Sequence, residues 1–184
     1  MLGTLVVRSF VAAPFSIPSG SMSPTLQVGD RILVDRLSYR FHDVRRGDVV
    51  VFDGTDSFGS LGDGRRETDY VKRVVGLPGE HVVCCDDEGR ITVDGRALDE
   101  HRYLFPGDDP STLQFDVRVP KGELWVMGDH RSDSLDSRAH LGDPGGGFVP
   151  VDEVIGRLML VMWPPSRLGA GPDAHVGFAA RRSP

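Results

Sequence analysis

Short apolar runs, separated by glycine, proline and charged residues, dominate the chain after residue 17. Their β-branched residues and short lengths are typical of strands. The pattern predicts strands at Arg31–Asp35, Asp48–Phe52, Tyr70–Val75, His81–Cys85, Ile91–Val93, Arg96–Leu98, Phe115–Val119, Glu123–Met127 and Ile155–Trp163. Asp94-Gly95, between two of these runs, is a strong hairpin signal. Because no convincing amphipathic helix follows residue 17, we expect an all-β fold with antiparallel sheets.

Residues 1–17, MLGTLVVRSFVAAPFSI, are apolar except for Arg8 and a few hydroxyl residues. A transmembrane helix needs about 20 mainly apolar residues, and Pro14 should end any helix near Ala13. Arg8 lies inside the apolar stretch rather than ahead of it, which argues against a cleavable secretion signal. Three alternatives remain: the outer end of a membrane anchor whose upstream part is missing, a segment lying in the membrane interface, or a buried strand.

The composition narrows the class of protein. A chain of 184 residues holds one domain, or one domain with a small lobe. The 23 glycines and 13 prolines exclude a helical bundle and favour many turns between strands. The net charge of −6, without a long basic run, argues against a nucleic-acid partner. Residues 164–184 are interpreted as a loose C-terminal tail.

Cys84 and Cys85 are adjacent. Adjacent cysteines rarely bridge each other, and no second pair of cysteines offers a metal site. We therefore expect two buried or half-buried thiols on a strand. The histidines are scattered, with none at ligand spacing from another, so no metal site is predicted.

The segment Ile17–Leu26, IPSGSMSPTL, has the features of a nucleophile loop. Two prolines constrain the backbone around Ser21, while Gly20 permits a sharp turn. A nucleophile needs such exposure, and the hydroxyl of Ser19 could point at a developing oxyanion. The alternative is a serine- and proline-rich loop with no catalytic role.

Lys72 lies in a predicted strand, on the same face as Tyr70 and Val74. None of these neighbours is acidic. A lysine in apolar surroundings loses its charge more easily, and a neutral amine can take a proton from a serine. The alternative is a surface lysine whose apolar stem lies along the protein while its amine reaches water.

The loop that ends at Arg138 is dense in alternating charge. Its carboxylates and guanidinium groups could form two ion pairs that brace a site. These four side chains are Asp129, Arg131, Asp136 and Arg138. The alternative is a solvated charged loop.

Taken together and in this order, these segments resemble the bacterial type I signal peptidases. Ile17–Leu26 is similar to the nucleophile box of that family, Arg46–Phe52 to its strand box, Tyr70–Gly79 to its lysine box and Gly128–Arg138 to its final box. The final box usually reads G-D-N-R-x-N-S-x-D-S-R, so His130 and Asp133 stand where the family usually has asparagine. The resemblance covers residues 10–163.

The resemblance implies a role for each matching residue. Ser21 would be the nucleophile and Lys72 the general base. The Ser19 hydroxyl and the Ser21 backbone N–H would form the oxyanion hole. Ser134 would hydrogen-bond and orient the Lys72 amine, and Tyr70 would shape the cleft for the residues before the cut. Structural support of the site would come from Asp129, Arg131, Asp136 and Arg138.

The implied protein is a membrane-bound serine endopeptidase that removes N-terminal signal peptides from exported preproteins. It would cleave after small residues, with alanine typical at −1 and −3, on the outer face of the bacterial cytoplasmic membrane. It would act as a monomer and need no metal or organic cofactor. Its partners would be signal peptides and the lipid bilayer, the latter through the N-terminal segment.

The implied fold has the antiparallel sheets that signal peptidases share with the SOS-repressor proteases, behind a partial N-terminal membrane anchor. Residues 1–17 would end that anchor, residues 18–163 would form the catalytic domain with a small inserted lobe around 80–122, and residues 164–184 would be the tail. One alternative is a self-cleaving regulator of the SOS-repressor type, although those carry a DNA-binding domain ahead of the protease. Another is a non-catalytic β module that binds extended peptides.

Overall fold

The computed structural model describes residues 11–55, 57–58, 68–170 and 177–179. Across these ranges the chain forms twelve strands and four short 3-10 helices. The strands are β1 Ala12–Ser16, β2 Arg31–Asp35, β3 Val49–Asp53, β4 Asp69–Gly76, β5 His81–Cys84, β6 Thr92–Val93, β7 Arg96–Ala97, β8 Phe115–Arg118, β9 Glu123–Met127, β10 Val149–Pro150, β11 Val154–Trp163 and β12 Gly169–Ala170. The 3-10 helices are Ser38–Arg40, Arg131–Asp133, Val151–Glu153 and Pro165–Arg167.

The strands form two antiparallel sheets, which confirms the predicted all-β fold. The large sheet has the order β1-β2-β11-β3-β4-β9-β10, with β12 paired to β11. The small sheet has the order β7-β6-β5-β8. It arises from residues between β4 and β9, inside the stretch around 80–122 that we expected to form an inserted lobe.

The large sheet is buried on both faces at its centre. Successive side chains of a strand point to opposite faces, so the apolar run of β3 contributes to two clusters. Val49 and Val51 pack with Met22, Ile32 and other residues on one side. On the other side the cluster consists of Val50, Phe52, Phe58, Val74, Leu124, Val126 and Val149.

A third apolar cluster joins the small sheet to the large one. Val82, Ile91 and Val93 of the small-sheet region pack with Trp125 and Met127 of β9. The small sheet therefore shares its core with the strand that leads into the charged loop.

The end of the N-terminal segment is a strand. β1 pairs antiparallel with β2, from Ala12 opposite Asp35 to Ser16 opposite Arg31, and Phe15 packs against the core of the large sheet. Residues 12–16 thus take the strand alternative and belong to the sheet rather than to an anchor. Residues 1–10 lie outside the part of the chain that the structure describes. Within the described part, no helix is long and apolar enough to cross a membrane.

The interpretation of residues 164–184 as a loose tail is wrong for the parts that the structure describes. β12 pairs with β11, and the Arg167 Nε donates to the buried Asp30 carboxylate. Further along, Phe178 forms a β-bridge with Leu98. The guanidinium of Arg96 lies 3.8 Å from the centre of the Phe178 ring. These contacts hold the tail against both sheets.

Cys84 and Cys85 are joined by a disulfide, so the expectation of two free thiols is wrong. Cys84 is buried in the core of the small sheet, and Cys85 packs against the same cluster. Since β5 ends at Cys84, the alternation that would turn neighbouring side chains to opposite faces does not extend to Cys85.

Candidate active site

Ser21 and Lys72, which the family resemblance pairs as nucleophile and base, lie in direct contact in the structure. The Lys72 Nζ donates to Ser21 Oγ at 2.9 Å and to the carbonyl oxygen of Val71 at 3.1 Å. Lys72 lies on β4 opposite Val50 of β3. The exposed fraction is 7% for Ser21 and 4% for Lys72, so the pair is withdrawn from solvent.

The surroundings of Lys72 favour its neutral form. Burial lowers the pKa of Lys72 to about 8, because the charged amine loses its hydration inside the protein. The negative charges of Asp136, Asp129 and Asp133 act in the opposite direction and raise this pKa. Burial is the larger effect, and it gives the amine a pKa suited to proton transfer near neutral pH.

The loop that carries Ser21 is fixed on both sides by buried residues. Ile17 exchanges backbone hydrogen bonds with the turn before β2, donating to Asp30 and accepting from Gly29. Met22 is buried in the core of the large sheet, as is Leu26. Ser19 is exposed on the same loop, with its Oγ 3.4 Å from that of Ser21.

The charged loop 128–138 is folded around Asp136. The Asp136 carboxylate accepts hydrogen bonds from the Gly128 backbone N–H at 2.9 Å and from Arg138 Nε and Nη2 at 2.8 Å. Burial raises the pKa of Asp136, yet the hydrogen bonds and charge of Arg138 outweigh burial and hold it below its usual value. Arg138 also donates to the carbonyl oxygen of Arg131, which closes the loop.

The loop touches the nucleophile directly. The backbone N–H of His130 donates to the Ser21 carbonyl oxygen at 3.1 Å. A Cβ at position 128 would lie 2.5 Å from that same oxygen and 2.2 Å from the Ser134 Oγ. Only glycine fits there, so the close approach of the loop to Ser21 depends on Gly128.

Only one of the two ion pairs expected within the loop is formed there. Asp136 pairs with Arg138, whereas Asp129 pairs with Arg73 and Arg131 pairs with Glu100. The sheet register explains the first difference, because Arg73 of β4 lies opposite Met127, two residues before Asp129. Arg73 and Glu100 are therefore the ion-pair partners of the charged loop that the sequence analysis missed.

Ser134 does not make the hydrogen bond that the resemblance implied. Its Oγ is buried beside Gly128, and its hydrogen bond to Asp136 helps to hold the pKa of that carboxyl below its usual value. The Lys72 amine instead donates to Ser21 and to its own strand through Val71. The strand backbone thus supplies the second contact of the amine in this structure, and a role of Ser134 in orienting Lys72 stays a prediction.

Tyr70 is part of an aromatic cluster two residues before Lys72. Its ring stacks on Phe52, with centres 5.8 Å apart, and meets the edge of Phe58 at 5.2 Å. The His140 ring stacks on the Phe58 ring, with the two ring centres 4.4 Å apart. The cluster holds the first half of β4 in place beside the loop that follows β3.

A segment between β7 and β8 braces the charged loop from outside the large sheet. Phe105 donates its backbone N–H to Asp129 and stacks on the His130 ring at 3.8 Å. Asp108 accepts hydrogen bonds from both the N–H and the hydroxyl of Ser132. The sequence offered no local signal for this contact, because the segment has neither a strand pattern nor a motif.

A buried serine hydroxyl hydrogen-bonded to a buried lysine amine, on antiparallel sheets, is an arrangement that indicates the serine peptidases as the class of protein. The family described as "Signal peptidase, peptidase S26" matches residues 1–163. The chain belongs to this family, as a signal peptidase I: a hydrolase that processes signal peptides.

Two mycobacterial relatives show the extent of the similarity. The probable signal peptidase I of Mycobacterium leprae is 40% identical, over 89% of this chain and 73% of its own length. The signal peptidase I of Mycobacterium tuberculosis H37Rv is 42% identical, over 89% of this chain and 69% of its own length. A solved signal peptidase I from Enterococcus faecalis is 27% identical, over 64% of this chain and 98% of that one, with a TM-score of 0.46.

Proposed function

We propose that the protein is a membrane-bound endopeptidase that removes N-terminal signal peptides from exported preproteins through a Ser21–Lys72 dyad. The observation that carries the proposal is the 2.9 Å hydrogen bond from Lys72 Nζ to Ser21 Oγ inside a buried site. A desolvated lysine serves as a base without a third, acidic member, because burial itself favours the neutral amine.

In the first half of the reaction, Ser21 Oγ attacks the scissile carbonyl while the neutral Lys72 amine takes the hydroxyl proton. The ammonium then gives this proton to the departing amine, which leaves an acyl ester on Ser21. In the second half, Lys72 deprotonates a water molecule that hydrolyses the ester. The Ser19 hydroxyl and the Ser21 backbone N–H stabilise the oxyanion in both halves.

The substrate is an extended segment that pairs with a strand edge beside the dyad, with Tyr70 shaping the cleft for the residues before the cut. The family resemblance supports small residues, typically alanine, at −1 and −3. Four charged side chains of the loop 128–138 support the site, since all four are buried and each is in an ion pair. They are Asp129, Arg131, Asp136 and Arg138.

The apolar residues that precede β1 tether the enzyme to the bilayer, and the active site works at the outer surface of the cytoplasmic membrane as a monomer. The join supports this arrangement, since only residues 11–20, which include β1, lie between the tether and Ser21. A nucleophile so close to the tether stays near the membrane surface.

Mass mapping of the cut in a preprotein-derived peptide with alanine at −1 and −3 tests the activity. We expect cleavage directly after the −1 alanine, and no product from the Ser21→Ala and Lys72→Met variants. Binding without turnover by the wild type would instead indicate a peptide-binding module. Cleavage that survives Ser21→Ala would overturn the proposed nucleophile.

Sedimentation with phospholipid vesicles tests the tether. Deleting residues 1–10 leaves β1 intact, so the shortened protein should fold and cleave the peptide but stay in the supernatant. Deleting residues 1–16 also removes β1 and exposes the edge of β2, so this form should lose stability. Vesicle binding equal to that of the whole chain after the shorter deletion would overturn the tether.

A further inference from the structure

Asp133 places a carboxylate next to the nucleophile loop. Its Oδ2 lies 3.2 Å from the position that a Cβ on Gly20 would occupy, and Gly20 directly precedes Ser21. The Asp133 side chain is 68% exposed, so it faces the solvent side of the site, from which a substrate arrives. The mechanism proposed above gives this carboxylate no task.

The position of Asp133 is set by the surrounding loop. It ends the 3-10 helix Arg131–Asp133 and donates its backbone N–H to the carbonyl oxygen of His130. The neighbouring Ser132 is held by two hydrogen bonds to Asp108. Because His130 is itself bonded to the Ser21 carbonyl oxygen, the backbone of Asp133 is held close to the nucleophile loop.

The charge of Asp133 reaches the reacting groups. It is one of three carboxylates whose negative charge raises the pKa of Lys72, and it is far more exposed than Asp129 and Asp136. Those two are neutralised by bidentate arginine partners. The side chain that faces Asp133 is the His130 ring, with its Nδ1 3.9 Å from the Asp133 Oδ2.

We propose that Asp133 is a specificity residue: it favours substrates with lysine or arginine, and disfavours those with aspartate or glutamate, at a position flanking the scissile bond. The inference rests on the proposed function, since the scissile carbonyl must then lie at Ser21 Oγ and the flanking side chains must pass Gly20. The attraction or repulsion between two unit charges several ångströms apart at a partly solvated surface changes the rate of cleavage by about 3- to 10-fold.

The test uses alanine-containing signal-type peptides with lysine or glutamate placed in turn at −2, +1 and +2. For the wild type we expect a lysine-to-glutamate ratio of kcat/KM of about 3 to 10 in at least one position. Asp133→Asn should bring that ratio close to one, and Asp133→Lys should invert it. The wild-type ratio should also shrink at about 1 M salt, where the screening length falls to about 3 Å.

Asp116→Asn is the matched control, because Asp116 is also an exposed aspartate beside a histidine, His81, but lies on β8 of the small sheet. It should leave the ratio unchanged. The inference is overturned if wild type and Asp133→Asn give the same ratios, or if Asp116→Asn changes them as much. Failure of the wild type to cleave any peptide would overturn the proposed function itself, and the inference with it.

Discussion

Arg73 binds Asp129 through both carboxylate oxygens, with Nε 2.7 Å from Oδ1 and Nη2 2.6 Å from Oδ2. Both side chains are buried, and the guanidinium also lies 4.2 Å from the centre of the Tyr103 ring. Arg73 directly follows Lys72 on β4, while Asp129 precedes His130, which bonds to Ser21. The pair therefore ties the strand of the base to the loop that touches the nucleophile.

Arg73→Met should lower the free energy of unfolding by about 3–5 kcal/mol, because it leaves the Asp129 carboxylate buried without its partner. Urea denaturation measures the change, and peptide cleavage should fall with it because the β4-to-loop connection is lost. Arg90→Gln is the control: Arg90 pairs with Asp86 at the surface, so its loss should change stability little. Equal stability of the two variants would contradict the role assigned to the Arg73–Asp129 pair.

The strands were the most predictable part of the fold. The predicted bounds of Arg31–Asp35 and Glu123–Met127 agree with β2 and β9, and the other seven predicted strands differ by one residue at one or both ends. Each run is rich in β-branched residues and bounded by turn residues, so the signal is local. The meeting of Ser21 with Lys72 was predictable only through the family resemblance, because the residues are 51 positions apart.

What the sequence left undetermined depends on contacts between distant residues. Pro14 argued only against a long helix in the N-terminal segment and did not decide between a strand and the membrane alternatives, since a proline is tolerated in an edge strand such as β1. The partners of Asp129 and Arg131 are 56 and 31 positions away, and residue type alone does not choose between them and the closer alternatives. Docking of Phe178 onto Leu98 is equally non-local.

Gly128→Ala should damage the site through its backbone. The added Cβ would lie 2.5 Å from the Ser21 carbonyl oxygen, so the loop or the nucleophile must move. We expect a loss of about 1–3 kcal/mol in the free energy of unfolding and a clear fall in kcat. Gly142→Ala is the control, because a Cβ there meets nothing within 4 Å. Full activity of Gly128→Ala would contradict the tight approach of the loop.

Asp133→Asn should shift the pH dependence of cleavage towards lower pH. The negative charge of Asp133 raises the pKa of Lys72, so neutralising it lowers that pKa and leaves more of the amine unprotonated at neutral pH. The measurement is the acidic limb of a kcat/KM profile on an uncharged peptide. An unchanged limb, or one displaced to higher pH, would show that the charge of Asp133 does not act on the base.

Ser21→Ala should abolish cleavage, whereas Ser19→Ala should lower kcat by about 10²- to 10³-fold, because the backbone oxyanion donor remains. Ser16→Ala, at an exposed position of β1, is the control and should keep full activity. Single-turnover kinetics on the same peptide separates the three variants. An unimpaired Ser19→Ala variant would remove this hydroxyl from the oxyanion hole.

Lys72 should reduce stability at neutral pH, because it is buried and its pKa in the folded protein is lowered to about 8. In the unfolded chain a lysine titrates near 10.4, so between these two values the unfolded state holds more protons and stability rises with pH. Below pH 8 the full destabilisation is present. It is on the order of 3 kcal/mol, because each pH unit between the two pKa values contributes about 1.36 kcal/mol.

Lys72→Met should therefore be inactive, yet as stable as the wild type or more so at pH 7. The gain is reduced by about 1 kcal/mol for each of the two lost hydrogen bonds, to Ser21 and to the Val71 carbonyl. Chemical denaturation of both proteins from pH 7 to 10.5 is the measurement: the stability advantage of the Met variant should shrink as pH rises and then reverse in favour of the wild type, because only the wild type gains stability. A Met variant clearly less stable at pH 7, with a difference that does not change with pH, would mean that Lys72 keeps its ordinary pKa and that a buried neutral base is not what drives the Ser21 attack.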